Sequence, residues 1–363
     1  MAEAGTLRAL ADARARPVHV GAAVWPDHIY NEPDTYGTIL PREFNSITLE
    51  AHHKWDHLLV DQRTAAVYNW EIADRTVEYA EQHRMAVKGH TLCWPEHLPE
   101  FAKALSKAKL REALLDHINQ TMRHYLGRVA SWDVVNESFA SNGSGRPTNS
   151  ALATHFGDEY VKDAFVAAHQ ADPNCKLLYN DCTIMAAGFR KSEAVYRMVE
   201  GLVKSGTPIN GIGFQGHIDA AGGGEWGPPK PAALRTNIRR YKKLGLSCNI
   251  SEMDVRCSGV IGNEAVRDKA AAAVYSTVLS TCLAEPNFDG VTFWGFTDKH
   301  SWINGFFGPD RPLLYDDNYR PKAQYDAVAN ALSGGEGQAA SASGSSSVKG
   351  RLTQLGKKLM PKK

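Results

Sequence analysis

A chain of 363 residues, 43% hydrophobic and 22% charged, has the profile of a soluble globular protein, long enough for one large domain or two ordinary ones. Six basic residues and one acid fall in 334–363, which leaves 35 basic and 39 acidic residues in 1–333, a body of net −4 that does not fit a nucleic-acid binder. No run of about 18 apolar residues is present to span a membrane, and the six cysteines include no C-x-x-C pair, which speaks against zinc or thiol–disulfide chemistry.

The opening MAEAGTLRALADARARP lacks the apolar centre of a secretory signal, so an intracellular protein is expected unless a leader has been removed. HVGAAVW (19–25) and FNSITLE (44–50) are the first two predicted strands. A helix is predicted over 71–84, with Ile72, Val77, Tyr79 and Ala80 near one stripe, and the third strand is AVKGHTL (86–92). A second helix over 110–126 places Leu114, Ile118, Met122 and Leu126 at helical spacing and leads to the fourth strand, VASWDVV (129–135). A helical pattern over 157–170 precedes the fifth strand, CKLLYND (175–181), followed by GIGFQGHI (211–218) and SCNISEMD (247–254). The pattern over 263–284 leads to the eighth strand, GVTFWGF (290–296).

Eight strands alternating with helices predict an α/β fold with a parallel sheet, and eight is the number that closes a (β/α)8 TIM barrel. An open doubly wound sheet would normally carry a Gly-rich turn after its first strand, and AAVWPDHIYN has none. The expected organisation is one catalytic domain over 1–333, a Gly/Ser/Ala linker over 334–347 and a basic tail over 348–363. The tail has a weak apolar stripe of Val348, Leu352, Leu355 and Leu359. It reads as a disordered extension or, more sharply, as a short amphipathic helix making weak contact with an anionic surface.

The strand ends carry the chemistry, because in a barrel the C-terminal ends of the strands face the active site. LEAHHKW (49–55) ends the second strand; adjacent histidines on an extended strand point to opposite faces, so His52 and His53 are not expected to share a metal ion. The same end offers Glu50 and Lys54. The later ends offer His90 and Trp94, Asn136 and Glu137, Asn180 and Asp181, Gln215 and His217, Glu252 and Asp254, and Trp294 with Trp302 in the loop beyond. Glu137 and Glu252 lie 115 residues apart, yet their strands face each other across a closed barrel. Opposed carboxylates over a cavity lined with Trp, Asn, Gln and His suit glycoside hydrolysis, in which one stays ionised and the other holds a proton near neutral pH. His217 is placed to hydrogen-bond Glu252 with Asp254 orienting the imidazole, which suits Glu252 as nucleophile. Glu137, after apolar Val134-Val135 and neutral Asn136, is expected to have a raised pKa. Asn136 is placed to donate to a sugar 2-hydroxyl.

With these residues in hand, the chain resembles glycoside hydrolase family 10, the endo-β-1,4-xylanase family. FNSITLEAHHKW, VKGHTLCWPEHLPEF, WDVVNE, LLYND, GIGFQGHI, ISEMDV and VTFWGFTDKHSW run in order and cover about residues 5–330. The resemblance implies a (β/α)8 barrel, a retaining double displacement on xylan or xylo-oligosaccharides, and no metal or organic cofactor. It implies Glu137 as acid/base and Glu252 as nucleophile, with Glu50, Lys54, His90, Trp94, Asn136, Gln215, His217, Trp294 and Trp302 around the sugar. A monomer without a nucleic-acid partner is expected.

Four positions depart from the family pattern. Ala51 stands where the family has asparagine, Pro95 and His97 replace the histidine and glutamine of W-H-x-Q-L-P, and Cys182 replaces the tyrosine after YND. Cys282 lacks a disulfide partner because Phe288 takes its place, which favours a reducing compartment. These changes alter the glycone subsite beyond the cleavage point. They leave open the same chemistry on a shorter or different β-glycoside, or, with the carboxylates idle, a carbohydrate-binding protein without activity.

Overall fold

The structure, a computed structural model, describes residues 5–64, 67–140, 145 and 150–334. The expected linker beyond Gly334 and the basic tail lie outside the described residues. Nine strand segments form: β1 (His19–Val24), β2 (Ser46–Leu49), β3 (Ala86–Cys93), β4 (Ser131–Asn136), β5 (Lys176–Asp181), β6 (Gly211–Phe214), β7 (His217–Asp219), β8 (Ser247–Arg256) and β9 (Phe288–Phe293). All named pairings are parallel, from β1 through β6 in order, with β6 closing onto β8, β8 onto β9 and β9 back onto β1. This is the expected eight-stranded barrel, with the predicted sixth strand broken in two.

The break has a local cause. Gly216 adopts φ +85, and a Cβ there would come within 2.7 Å of Ile250 Cγ2, so only glycine turns the chain at this point. Past the turn, β7 pairs with the outer half of β8, with His217 opposite Asp254.

The strands are buried on both faces, as parallel strands covered by helices must be. The predicted helices form over Glu71–Gln82, Lys107–His124, Glu159–Ala171 and Glu264–Leu283. Two stripe residues differ from expectation. The first helix buries Ala73, Thr76, Val77 and Ala80, one i, i+3, i+4, i+7 face, and leaves Ile72 exposed; Leu126 lies past the end of the second helix and is also exposed. All six cysteines are buried and unpaired. Among the described residues no helix is long and apolar enough to cross a membrane.

Candidate active site

A cleft of about 720 Å³ opens at the C-terminal ends of the strands. Glu50, Lys54, His90, Trp94, Asn136, Glu137, Gln215, His217, Glu252, Trp294 and Trp302 all line it. Asp254, buried beneath, completes the set expected from sequence. Register shifts interrupt β3 after His90, β4 after Asp133 and β8 between Ile250 and Met253, so three strands carry an extra residue at the depth of the site. Such bulges re-aim side chains. Glu137 follows β4 at φ +52, a conformation that costs a non-glycine residue energy, and its N–H donates to the Asn180 carbonyl at 2.9 Å.

The two carboxylates are joined by three amides. Gln215 Nε2 donates to Glu137 Oε1 at 2.6 Å and lies 3.3 Å from Asn136 Oδ1. Asn180 Nδ2 donates to Asn136 Oδ1 at 2.9 Å and to Glu252 Oε1 at 2.6 Å. With its oxygen committed twice, Asn136 turns its NH2 group to donate elsewhere. Asn180 is in turn fixed by Ser251 Oγ, 2.5 Å from Asn180 Oδ1.

His217 bridges the second carboxylate to Asp254, with Nε2 3.2 Å from Glu252 Oε2 and Nδ1 2.9 Å from Asp254 Oδ2. Trp302 Nε1 also donates to Asp254 Oδ2, at 2.8 Å. Burial alone would lift Glu252, but the His217 hydrogen bond and the charge interactions with His90, His217 and Lys88 outweigh it and hold its pKa well below the usual carboxylate range. Burial likewise disfavours the His217 cation, yet the two flanking carboxylates raise its pKa well above that of a free imidazole. Glu137 goes the other way. Burial first, then the negative charges of Asp181 and Glu252, push it up to about 7 against the opposing Gln215 hydrogen bond. One carboxylate is thus ionised and the other protonated near neutrality, which is the division that acid/base and nucleophile require.

On the β2 side of the cleft Lys54 Nζ lies 4.9 Å from the Trp94 ring centre, and burial lowers its pKa while raising that of Glu50. The segment after β2 is a turn rather than extended strand. His52 packs edge-on against Trp25. His53 is fully buried against Tyr125 and Trp132, its ring nitrogens without hydrogen-bond partners among the described residues, and desolvation lowers its pKa to about 3. His53 is therefore a core residue, and Trp55 is buried too, stacked on His117. Ala51 is buried outside the cleft lining, and His97 takes a place on the wall by packing 3.9 Å from the Trp94 ring.

Sequence reasoning missed two groups. Asp133, fully buried, pairs with Lys88 Nζ at 2.7 Å and His90 Nδ1 at 3.0 Å and so fixes the histidine. The available signal was the charged residues inside the otherwise apolar runs VKGH and WDVV. The wall beyond Glu252 is made of Trp226 at the end of a 3-10 turn (Gly224–Trp226), Arg256 at the end of β8, and Phe306 and Phe307 on a six-residue helix (Trp302–Phe307). That helix also carries Trp302, expected in a loop; elements this short have no periodicity to read.

The family description "Glycosyl hydrolase family 10" matches residues 6–331. Endo-1,4-beta-xylanase B of Thermotoga neapolitana is 38% identical over 316 residues, covering 86% of this chain and 87% of that one. Beta-1,4-xylanase of Dictyoglomus thermophilum is 34% identical over 319 residues, covering 84% and 86%. The crystal structure of xylanase 10B from Thermotoga petrophila RKU-1 in complex with xylobiose superposes with a TM-score of 0.83 at 37% identity, over 92% of this chain and 98% of that one.

Proposed function

The chain belongs to glycosyl hydrolase family 10, and on that footing we propose that it cleaves internal β-1,4 bonds of xylan and xylo-oligosaccharides, with Glu252 as nucleophile and Glu137 as acid/base. It is a retaining glycoside hydrolase of the endo-1,4-β-xylanase type. The observation that carries the assignment of roles is the opposite displacement of the two carboxylates in one cleft, Glu137 up to about 7 and Glu252 down.

In the first step Glu252, aimed by His217 and Asn180, attacks the anomeric carbon while Glu137 gives its proton to the leaving oxygen. A glycosyl ester on Glu252 results. As the leaving group departs, Glu137 becomes ionised and is then the base for the incoming water, whose oxygen displaces Glu252 and restores the original configuration. The free Asn136 amide faces the 2-hydroxyl of the reacting sugar. Lys54, Glu50 and Trp94 hold the glycone, and Trp294 and His90, in edge-on contact at 5.2 Å, shape the place of the reacting ring.

Product analysis on xylan and on xylo-oligosaccharides of increasing length tests the substrate. Glu252→Ala should abolish turnover, and Glu137→Ala should slow it most for poor leaving groups; normal release of xylo-oligosaccharides by Glu252→Ala sinks the assignment. One observation favours a shifted chain-length preference. With Ala51 buried and His97 packed on Trp94, the glycone end lacks two amides, each worth about 0.5–1.5 kcal/mol when hydrogen-bonded. A panel of aryl xylosides, xylobiosides and cellobiosides reads that preference directly.

A further inference from the structure

We propose that the buried ion pair Asp181–Lys191, which lies behind the cleft wall, is a positioning device that holds Glu137 in its protonated form; this rests on the acid/base assignment of Glu137 above. Lys191 stands in the first turn of the helix Arg190–Lys204 and is fully buried. Its Nζ is 2.7 Å from Asp181 Oδ1 and 3.1 Å from Cys182 Sγ. Placing two charges in the interior is expensive, and an apolar pair of similar volume is often at least as stable, so packing alone gives weak reason for them here.

The pair is wired to Glu137 along two routes. Glu137 N–H bonds to the carbonyl of Asn180, the residue before Asp181. Asp181 Oδ2 accepts from Tyr179 OH at 2.6 Å, and that hydroxyl lies 2.7 Å from Oγ of Ser138, the residue after Glu137. Asp181 also accepts from the Cys182 N–H at 2.9 Å, so its carboxylate keeps two donors if the ammonium is removed. The two charges do not cancel at Glu137, because Asp181 acts on it more strongly than Lys191 does. The other ionisable groups facing Glu137 are Glu252 from β8, Lys54 from the turn after β2, and the Cys182 thiol, which burial pushes up to about 12. The pair also gives a role to Cys182, where family members carry tyrosine. Its sulfur receives the Lys191 ammonium, leaving Lys191 beside the acid/base rather than in the sugar cleft.

The test is the pH dependence of kcat/KM on a xylo-oligosaccharide, whose poor leaving group needs the Glu137 proton. Asp181→Asn removes the charge that favours the protonated acid and leaves the ammonium, so the alkaline limb should move down by about one pH unit. Lys191→Met should move it up by a smaller amount, and the double variant should leave it below wild type by the difference between the two shifts. A merely structural pair would lower rates and thermal stability in all three without moving the limb. A limb that stays in place in either single variant, or moves the same way in both, overturns the proposal. If one single variant does not fold by circular dichroism, the direction of the other against wild type decides. Glu137→Gln in the same series separates the two readings, because a limb that persists there refutes the acid/base assignment itself, whereas its loss with unmoved limbs in the pair variants refutes only the role of Asp181 and Lys191.

Discussion

Replacing His217 by Asn tests how Glu252 is kept ionised. Glu252 accepts hydrogen bonds from Asn180 Nδ2 at 2.6 Å and His217 Nε2 at 3.2 Å, and together with nearby positive charge they bring its pKa to about 2 despite burial. The substitution removes the charged donor and leaves the Asn180 amide in place. A hydrogen bond to a charged group contributes about 1.5–3 kcal/mol, and 1.36 kcal/mol corresponds to one pKa unit. The Glu252 pKa should therefore rise by about one to two units. The reading is kcat/KM between acid and neutral pH on an aryl xylobioside with a good leaving group, for which the Glu137 proton matters little. The acid limb, set in the wild type by an unusually acidic nucleophile, should move up into the ordinary carboxylate range, while the neutral-pH rate falls less than in Glu252→Ala. An acid limb unmoved in a folded His217→Asn protein would refute the account of how the nucleophile is held ionised.

Glu137→Gln should raise thermal stability at pH 8 and change it little at pH 4. The Glu137 pKa is raised in the folded state to about 7 from 4.5, so folding binds a proton between those values and stability falls as pH rises through them, by about 3 kcal/mol at most above pH 7. Scanning calorimetry at the two pH values reads the difference, and equal gains at both count against the raised pKa. Asp133→Ala strips the counter-charge from Lys88 and His90. It should cost about 3–5 kcal/mol in urea unfolding, and a loss below about 1 kcal/mol would show the pair to be replaceable. On the proposed role of Lys54 in holding the glycone beyond the cleaved sugar, Lys54→Met should cost more on an aryl xylobioside than on an aryl xyloside. Equal losses would place Lys54 at the cleaved sugar alone.

Much of the site was legible because a barrel converts sequence order into spatial order. Once strands alternate with helices, residues at and near the C-terminal end of each strand face the cleft, and Glu50, His90, Asn136, Glu137, Gln215, Glu252 and Trp294 follow from that rule. The rule failed where the backbone departs from a regular strand. The predicted sixth strand is split at Gly216, which lets His217 begin a new segment opposite Asp254. The segment Glu50–Lys54 is a turn, which sends His53 into the core instead of alternating it with His52.

Periodicity and ordered strand ends by themselves determined the architecture, the pair of carboxylates and the glycosidic chemistry, since these depend on residue type and on spacing along the chain. The sequence already pointed to Glu137 as the acid and Glu252 as the nucleophile; what tertiary structure alone decided is the surroundings that displace their two pKa values in opposite directions. The Glu137 proton depends on Asp181, Glu252 and Gln215, and the Glu252 charge on His217, His90 and Lys88, groups brought together from different strands. Coulomb and desolvation energies act through space over a few ångströms, and separation in sequence carries no information about those distances until the barrel has closed.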